Sequence, residues 1–145
     1  MKRLLLFLLL FACDDPALVV VDDAYPDGTR VDEVWWHETL VPDAVDPGGE
    51  SPAYRAAAGH DFAYAVLDRG GALFVVRSQT ELAVERGETL HVTFSPSTVI
   101  GDCAGGPTLT QAEADMITQS IFPGVFDGAI YDASTCKYFK PAGGD

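Results

Sequence analysis

Three histidines, a tryptophan pair and an abundance of carboxylates are the side chains of this chain with the most chemistry to offer. His37, His60 and His91 each stand alone in sequence. Only a fold that gathered them beside carboxylates would give them general acid–base or metal-binding work. Taken singly they read as surface or loop residues, and His91 falls on the polar side of an alternating stretch. Trp35 and Trp36 are adjacent, so on a strand their rings point to opposite faces. One ring then anchors a core. The other, flanked by Glu33, His37 and Glu38, either forms an aromatic platform for a sugar ring or a partner protein, or is covered by a loop or helix, the simpler reading. Trp35, Trp36 and His37 are therefore the candidate binding residues. Asp43, Asp46 and Glu50 sit on a Gly-rich stretch that could offer oxygens to Ca²⁺, yet their spacing is not that of an EF-hand, and a solvated acidic loop is the reading. No metal and no cofactor is expected. The motifs G-x-S-x-G, H-E-x-x-H, G-x-x-x-x-G-K-[ST] and G-x-G-x-x-G are all missing, and no carboxylate pair is singled out for glycoside hydrolysis.

The N-terminus has a different character. Lys2 and Arg3 precede an apolar run over residues 4–11, then the small Ala12, then Cys13 followed by Asp14, Asp15 and Pro16. This is the plan of a secretory signal, and the run is far shorter than the roughly 20 apolar residues of a membrane-spanning helix. The segment Leu10-Phe11-Ala12-Cys13 resembles the lipobox of bacterial lipoproteins, with Phe11 bulkier than the residue usual at its place. The resemblance implies that residues 1–12 are removed as a signal peptide, that Cys13 is acylated, and that residues 13–16 are the lipidated Cys and a short tether. It implies a membrane-anchored protein of the cell envelope, facing the periplasm or the cell exterior. With Cys13 assigned to lipid, Cys103 and Cys136 remain as an even pair in an oxidising compartment, and a disulfide between them is expected. Neither has a neighbouring ligand at metal-site spacing, and a copper site using Cys103 and Met116 lacks the Cys, His and Met order of cupredoxins.

Composition narrows the choice of partner. The 145 residues carry 22 Asp and Glu against 9 Lys and Arg, a formal charge of -13. Removal of residues 1–12 takes two cations with it and leaves -15. Nucleic acid is excluded as a partner, because holding phosphates needs clustered cations that so acidic a chain cannot assemble. Asn is absent, which removes N-glycosylation acceptors. The hydrophobic fraction of 48% is that of a folded domain, and the length suits a single one.

The elements that must position these residues read as mainly β. Residues 17–21 form a β-branched run, residues 31–38 a strand carrying both tryptophans, and residues 42–52 an exposed acidic loop. Residues 62–67 have apolar side chains on both faces and should be a central strand. Gly70-Gly71 turns the chain into residues 73–76. Residues 89–95 alternate cleanly, with Leu90, Val92 and Phe94 inward, and read as a half-buried antiparallel strand. The series 110–113, Thr-Gln-Ala-Glu, fits a capping box opening one helix that ends before Pro123-Gly124, and residues 125–131 return as a last strand. The fold expected is an antiparallel β-sandwich or small barrel with one α-helix near residues 110–122. A single β-rich domain would span 17–136, with 137–145 a loose C-terminal tail. The function expected is a non-enzymatic accessory or binding module, tethered through its N-terminal lipid and meeting another envelope protein or a glycan. The alternative is a small envelope hydrolase whose carboxylates and histidines are assembled by the fold.

Overall fold

The computed structural model describes residues 16–41, 52–103 and 106–139. Within them the strands are β1 (Ala17–Asp23), β2 (Arg30–Trp36), β3 (Thr39–Leu40), β4 (Ala53–Ala56), β5 (Gly59–Asp61), β6 (Tyr64–Arg69), β7 (Ala72–Ser78), β8 (Leu82–Val84), β9 (Thr89–Phe94), β10 (Val99–Ile100), β11 (Ile130–Asp132) and β12 (Lys137–Phe139). Helix α1 (Gln111–Met116) continues as a π-helical turn (Ile117–Ile121) and is followed by the single turn α2 (Pro123–Phe126).

Side-chain alternation on β6 builds the architecture. Ala63, Ala65 and Leu67 enter one core while Tyr64 and Val66 enter another. Both faces of this strand are therefore covered, and it occupies the middle of a five-stranded antiparallel sheet ordered β10-β7-β6-β2-β3. The first core, built around Val19, Trp36, Leu67, Val76 and Phe94, lies between this sheet and a three-stranded sheet ordered β4-β1-β9. The second core, around Val66, Val75, Ile117, Phe122 and Tyr131, lies between the other face and a C-terminal layer of α1, α2 and the β11–β12 hairpin. The result is a sandwich backed by a third layer. The sheets stay open, so the barrel alternative does not form.

Turn chemistry fixes the hairpins. Gly70 and Gly71 take φ of 62° and 91°, the left-handed pair that a two-residue β-hairpin requires, and Asp68 Oδ1 accepts the Gly71 N–H at 2.8 Å. A second ribbon, β5 with β8, continues the β6–β7 pair beyond an irregular joint where Ser78 N–H meets Ala63 O at 2.8 Å.

Four expectations need correction. Strand β9 alternates as expected but pairs with β1 in parallel, Leu18 opposite Thr89 through to Asp23 opposite Phe94. Alternation reports which face is wet and carries no information on a neighbour's direction. Residues 125–131 are not one strand. Pro123 favours the first turn of a helix, where its missing N–H is no loss, and Asp127 at φ 46° with Gly128 at φ 79° turns the chain before β11 begins. Lys137–Phe139, expected to belong to a loose tail, is strand β12 with Tyr138 opposite Tyr131, and residues 140–145 lie outside the described residues. Finally, only half of the capping box closes. Thr110 Oγ1 accepts the Glu113 N–H at 3.2 Å, but the Glu113 carboxylate turns away to the Arg77 guanidinium at 2.5 Å.

Candidate functional site

Strand β2 delivers the two tryptophans to opposite sides of the five-stranded sheet. Trp36 is fully buried between the sheets, and its Nε1–H donates to Ala57 O at 2.9 Å. It is a core residue and offers no surface. Trp35 lies on the opposite face, half-buried, with Tyr64 edge-on at 5.5 Å between ring centroids. Register extends this contact into a row across all five strands: Leu40, Trp35, Tyr64, Arg77 and Ile100 are successive cross-strand partners. Arg77 lies 4.3 Å above the Phe62 ring while pairing with Glu113, so the row is locked to α1 at that end. At the other end it runs out into solvent, where Leu40 is 47% exposed.

Between Trp36 and its partner Thr39 the chain reverses through His37 and Glu38 alone, at φ 38° and 73°. A two-residue hairpin of this hand normally takes Asn-Gly or Gly-Gly. The His37 ring is held by the backbone across from it: a Cβ on Gly59 would lie 2.5 Å from His37 Nε2. No local pattern in the chain pairs these two positions.

Leu40 also borders a cleft of about 580 Å³ at the open edge of the sandwich. Val21, Val31 and Tyr54 supply apolar walls, and Asp22, Asp23, Asp32 and Glu33 supply carboxylates. Asp23 is partly committed, accepting the Val31 N–H at 3.0 Å. The acidic residues Asp43, Asp46 and Glu50, and the lipidation candidate Cys13, lie outside the described residues.

The histidines are dispersed. His60 Nδ1 is 3.7 Å from Glu81 on the β5–β8 ribbon, His91 Nδ1 is 4.0 Å from Asp22 across β9 and β1, and His37 is at the hairpin. Among the described residues no group of three or more His, Cys, Asp or Glu side chains could hold a metal ion.

A second site was not legible from sequence. Cys103 and Cys136 form the expected disulfide, Cα atoms 6.1 Å apart, joining the segment after β10 to the start of β12. Both half-cystines take positive φ, 59° and 55°. Beside the bridge opens a groove of about 700 Å³ between β7 and the C-terminal layer. At its Arg69 end is a partly buried polar network. Arg69 Nε donates to Thr29 Oγ1 at 2.9 Å, and the guanidinium pairs with Asp27 at 3.3 Å and with Asp102 at 3.7 Å. The Asp102 side chain is only 4% exposed. Burial, reinforced by the Asp102 charge, pushes the Tyr131 phenol up to about 12 and raises Tyr25 above its ordinary range. Burial likewise raises Tyr138, which stacks on Phe126 with ring centroids 4.5 Å apart. The Thr29 hydroxyl and amide hold Asp27 below the usual carboxylate range. The only cue in sequence was the adjacency of Asp102 to Cys103, which says nothing about Arg69 arriving from a hairpin far away in the chain. Compared with known proteins, the chain matches no family model, no curated protein and no solved structure.

Proposed function

We propose that this protein is a lipid-anchored component of the bacterial cell envelope that acts as a non-enzymatic binding module, engaging an envelope partner through the Trp35–Leu40 end of the aromatic row. The observation that carries the reading is the way the row ends. A half-buried Trp35 continues into an exposed Leu40, and carboxylates of the neighbouring cleft flank them. An aromatic and aliphatic centre with a charged rim is the anatomy of a protein-binding patch, and its acidity favours a partner face bearing Lys or Arg. The dispersal of His37, His60 and His91 over separate elements supports binding over hydrolysis.

The lipobox resemblance at Cys13 supports the anchor. Strand β1 begins at Ala17, so the intervening residues 14–16 reach at most about 14 Å. Ala17 is paired with Ala56, the next residue Ala57 accepts the Trp36 indole, and Gly59 lies against His37. The hairpin that carries the patch is thus close to the proposed anchor, and a partner at or in the membrane is the one it can meet. The test uses a photo-crosslinking side chain at Thr39, exposed beside Leu40, in native cells. A discrete envelope adduct that disappears in Trp35→Ala and in Leu40→Glu, at unchanged thermal stability, is expected. Adducts that survive both substitutions would overturn the patch, and unchanged membrane partitioning of Cys13→Ala would overturn the anchor.

A further inference from the structure

The groove beside the disulfide has no part in that reading. We propose that it is a binding site for a small amphipathic organic anion, whose apolar body rests on the groove's aliphatic and aromatic walls and whose acidic head turns towards Lys137.

The walls come from two layers that the fold holds together. Leu73 and Phe74 of β7 form one side, and Val125, Phe126 and Tyr138 of the C-terminal layer form the other. The disulfide closes the space between the layers and lines the groove itself. A site whose walls are covalently stapled loses little freedom when a ligand enters, which favours binding of a small molecule. The volume, about 700 Å³, is in the range of small-molecule pockets.

Charge selects the ligand. Lys137 lines the groove and makes no ion pair among the described residues, in a chain with 22 acidic and 9 basic side chains. At the far end, Arg69 lies 5.1 Å above the Phe74 ring and is already balanced by Asp27 and Asp102. Arg69 therefore contributes a flat cationic wall, and Lys137, whose cross-strand partner is Asp132, is the lining cation without an ion pair among the described residues. Carboxylate, sulfonate and phosphate heads share this chemistry.

The experiment titrates the oxidised, full-length protein with 8-anilinonaphthalene-1-sulfonate and follows both probe fluorescence and backbone amide shifts. Saturable single-site binding is expected, with shifts concentrated at Leu73, Phe74, Phe126 and Lys137. Lys137→Glu should weaken it about five-fold at low salt, with the difference shrinking at high salt. Lys137→Glu faces Asp132 across the β11–β12 pair, so the neutral Lys137→Gln, at an exposed position and expected to melt with the parent while also binding more weakly, separates lost binding from lost folding. N-phenyl-1-naphthylamine, which keeps the body and lacks the sulfonate, should bind more weakly than the sulfonate. Shifts centred on Trp35 and Leu40, unaltered binding by Lys137→Glu, or equal affinity for the uncharged probe would each overturn the assignment.

Discussion

Glu38→Gly should stabilise the protein, and the reason lies entirely in the backbone. Glu38 is exposed, takes φ 73°, and occupies the second position of the His37-Glu38 hairpin. A non-glycine residue held in the left-handed region costs about 1–2 kcal/mol. Glycine removes that cost but brings a larger unfolded-state entropy of about 0.5–1 kcal/mol. The difference leaves a net gain of about 0.5–1 kcal/mol, or roughly 1–4 °C in the unfolding midpoint for a chain of this size. Removing a negative charge from a protein of formal charge -13 acts in the same direction, so Glu38→Ala is the necessary control. It removes the carboxylate while keeping the Cβ, and should gain nothing beyond a few tenths of a kcal/mol. His37→Gly should not repeat the gain, because it also deletes the ring that packs against Gly59 and lies 6.3 Å from the Trp36 ring. Urea unfolding of the oxidised protein, followed by tryptophan fluorescence, measures all three variants. If Glu38→Gly and Glu38→Ala move the midpoint equally, the effect is electrostatic and the account of a strained turn is wrong.

The tryptophans should separate sharply in the same assay: Trp36→Ala should cost about 3–5 kcal/mol as a core cavity that also leaves the Ala57 carbonyl without its donor, and Trp35→Ala about 1–2 kcal/mol. Equal losses would show that Trp35 is as much a core residue as its neighbour. Thiol labelling of denatured, unreduced protein should find neither Cys103 nor Cys136 free, and removing their bridge across 33 residues of sequence should cost about 3–4 kcal/mol by the chain-entropy account. Alkali should unfold the protein through its buried phenols. With the Tyr131 phenol raised from 10.0 to about 12, the folded state holds its proton more tightly, so this contribution to stability is complete below pH 10 and is lost as pH rises towards 12. Tyrosinate absorbance should therefore appear together with loss of near-ultraviolet circular dichroism, and titration of Tyr131 in a protein that stays folded would contradict its burial.

What the sequence revealed were patterns with a single local cause. Alternation at residues 62–67 placed β6 at the centre because each face had its own apolar set, and Thr110 and Pro123 bracketed the helical segment by their backbone chemistry. The opposed tryptophans followed from the period of a strand. What stayed hidden depends on which segments meet. Nothing in Leu90, Val92 and Phe94 tells whether their neighbour runs with them or against them. The aromatic series 137–139 looked like a tail because its partner Tyr131 lies across a turn. The groove needed Phe74, Cys103 and Lys137 from three distant stretches, and the hairpin needed Gly59 opposite His37, so neither left a motif behind.

Strand β1 is the middle strand of its sheet, yet it is the first to be made. Its antiparallel partner β4 and its parallel partner β9 both arrive later, the last of them ending at Phe94. A nascent or translocating chain therefore presents Leu-Val-Val-Val with both strand edges open until β4 emerges, and with one edge still open until Phe94. Short β-branched runs without charge are the segments that stack with copies of themselves when left unpaired. Closing them here means bringing Leu18 to Thr89, a long loop whose entropy is lost before the contact returns anything. The time from synthesis of residue 17 to docking of residue 94 is thus the interval of greatest aggregation risk, and interruption of the chain anywhere within it leaves the most apolar strand of the smaller sheet without its parallel neighbour.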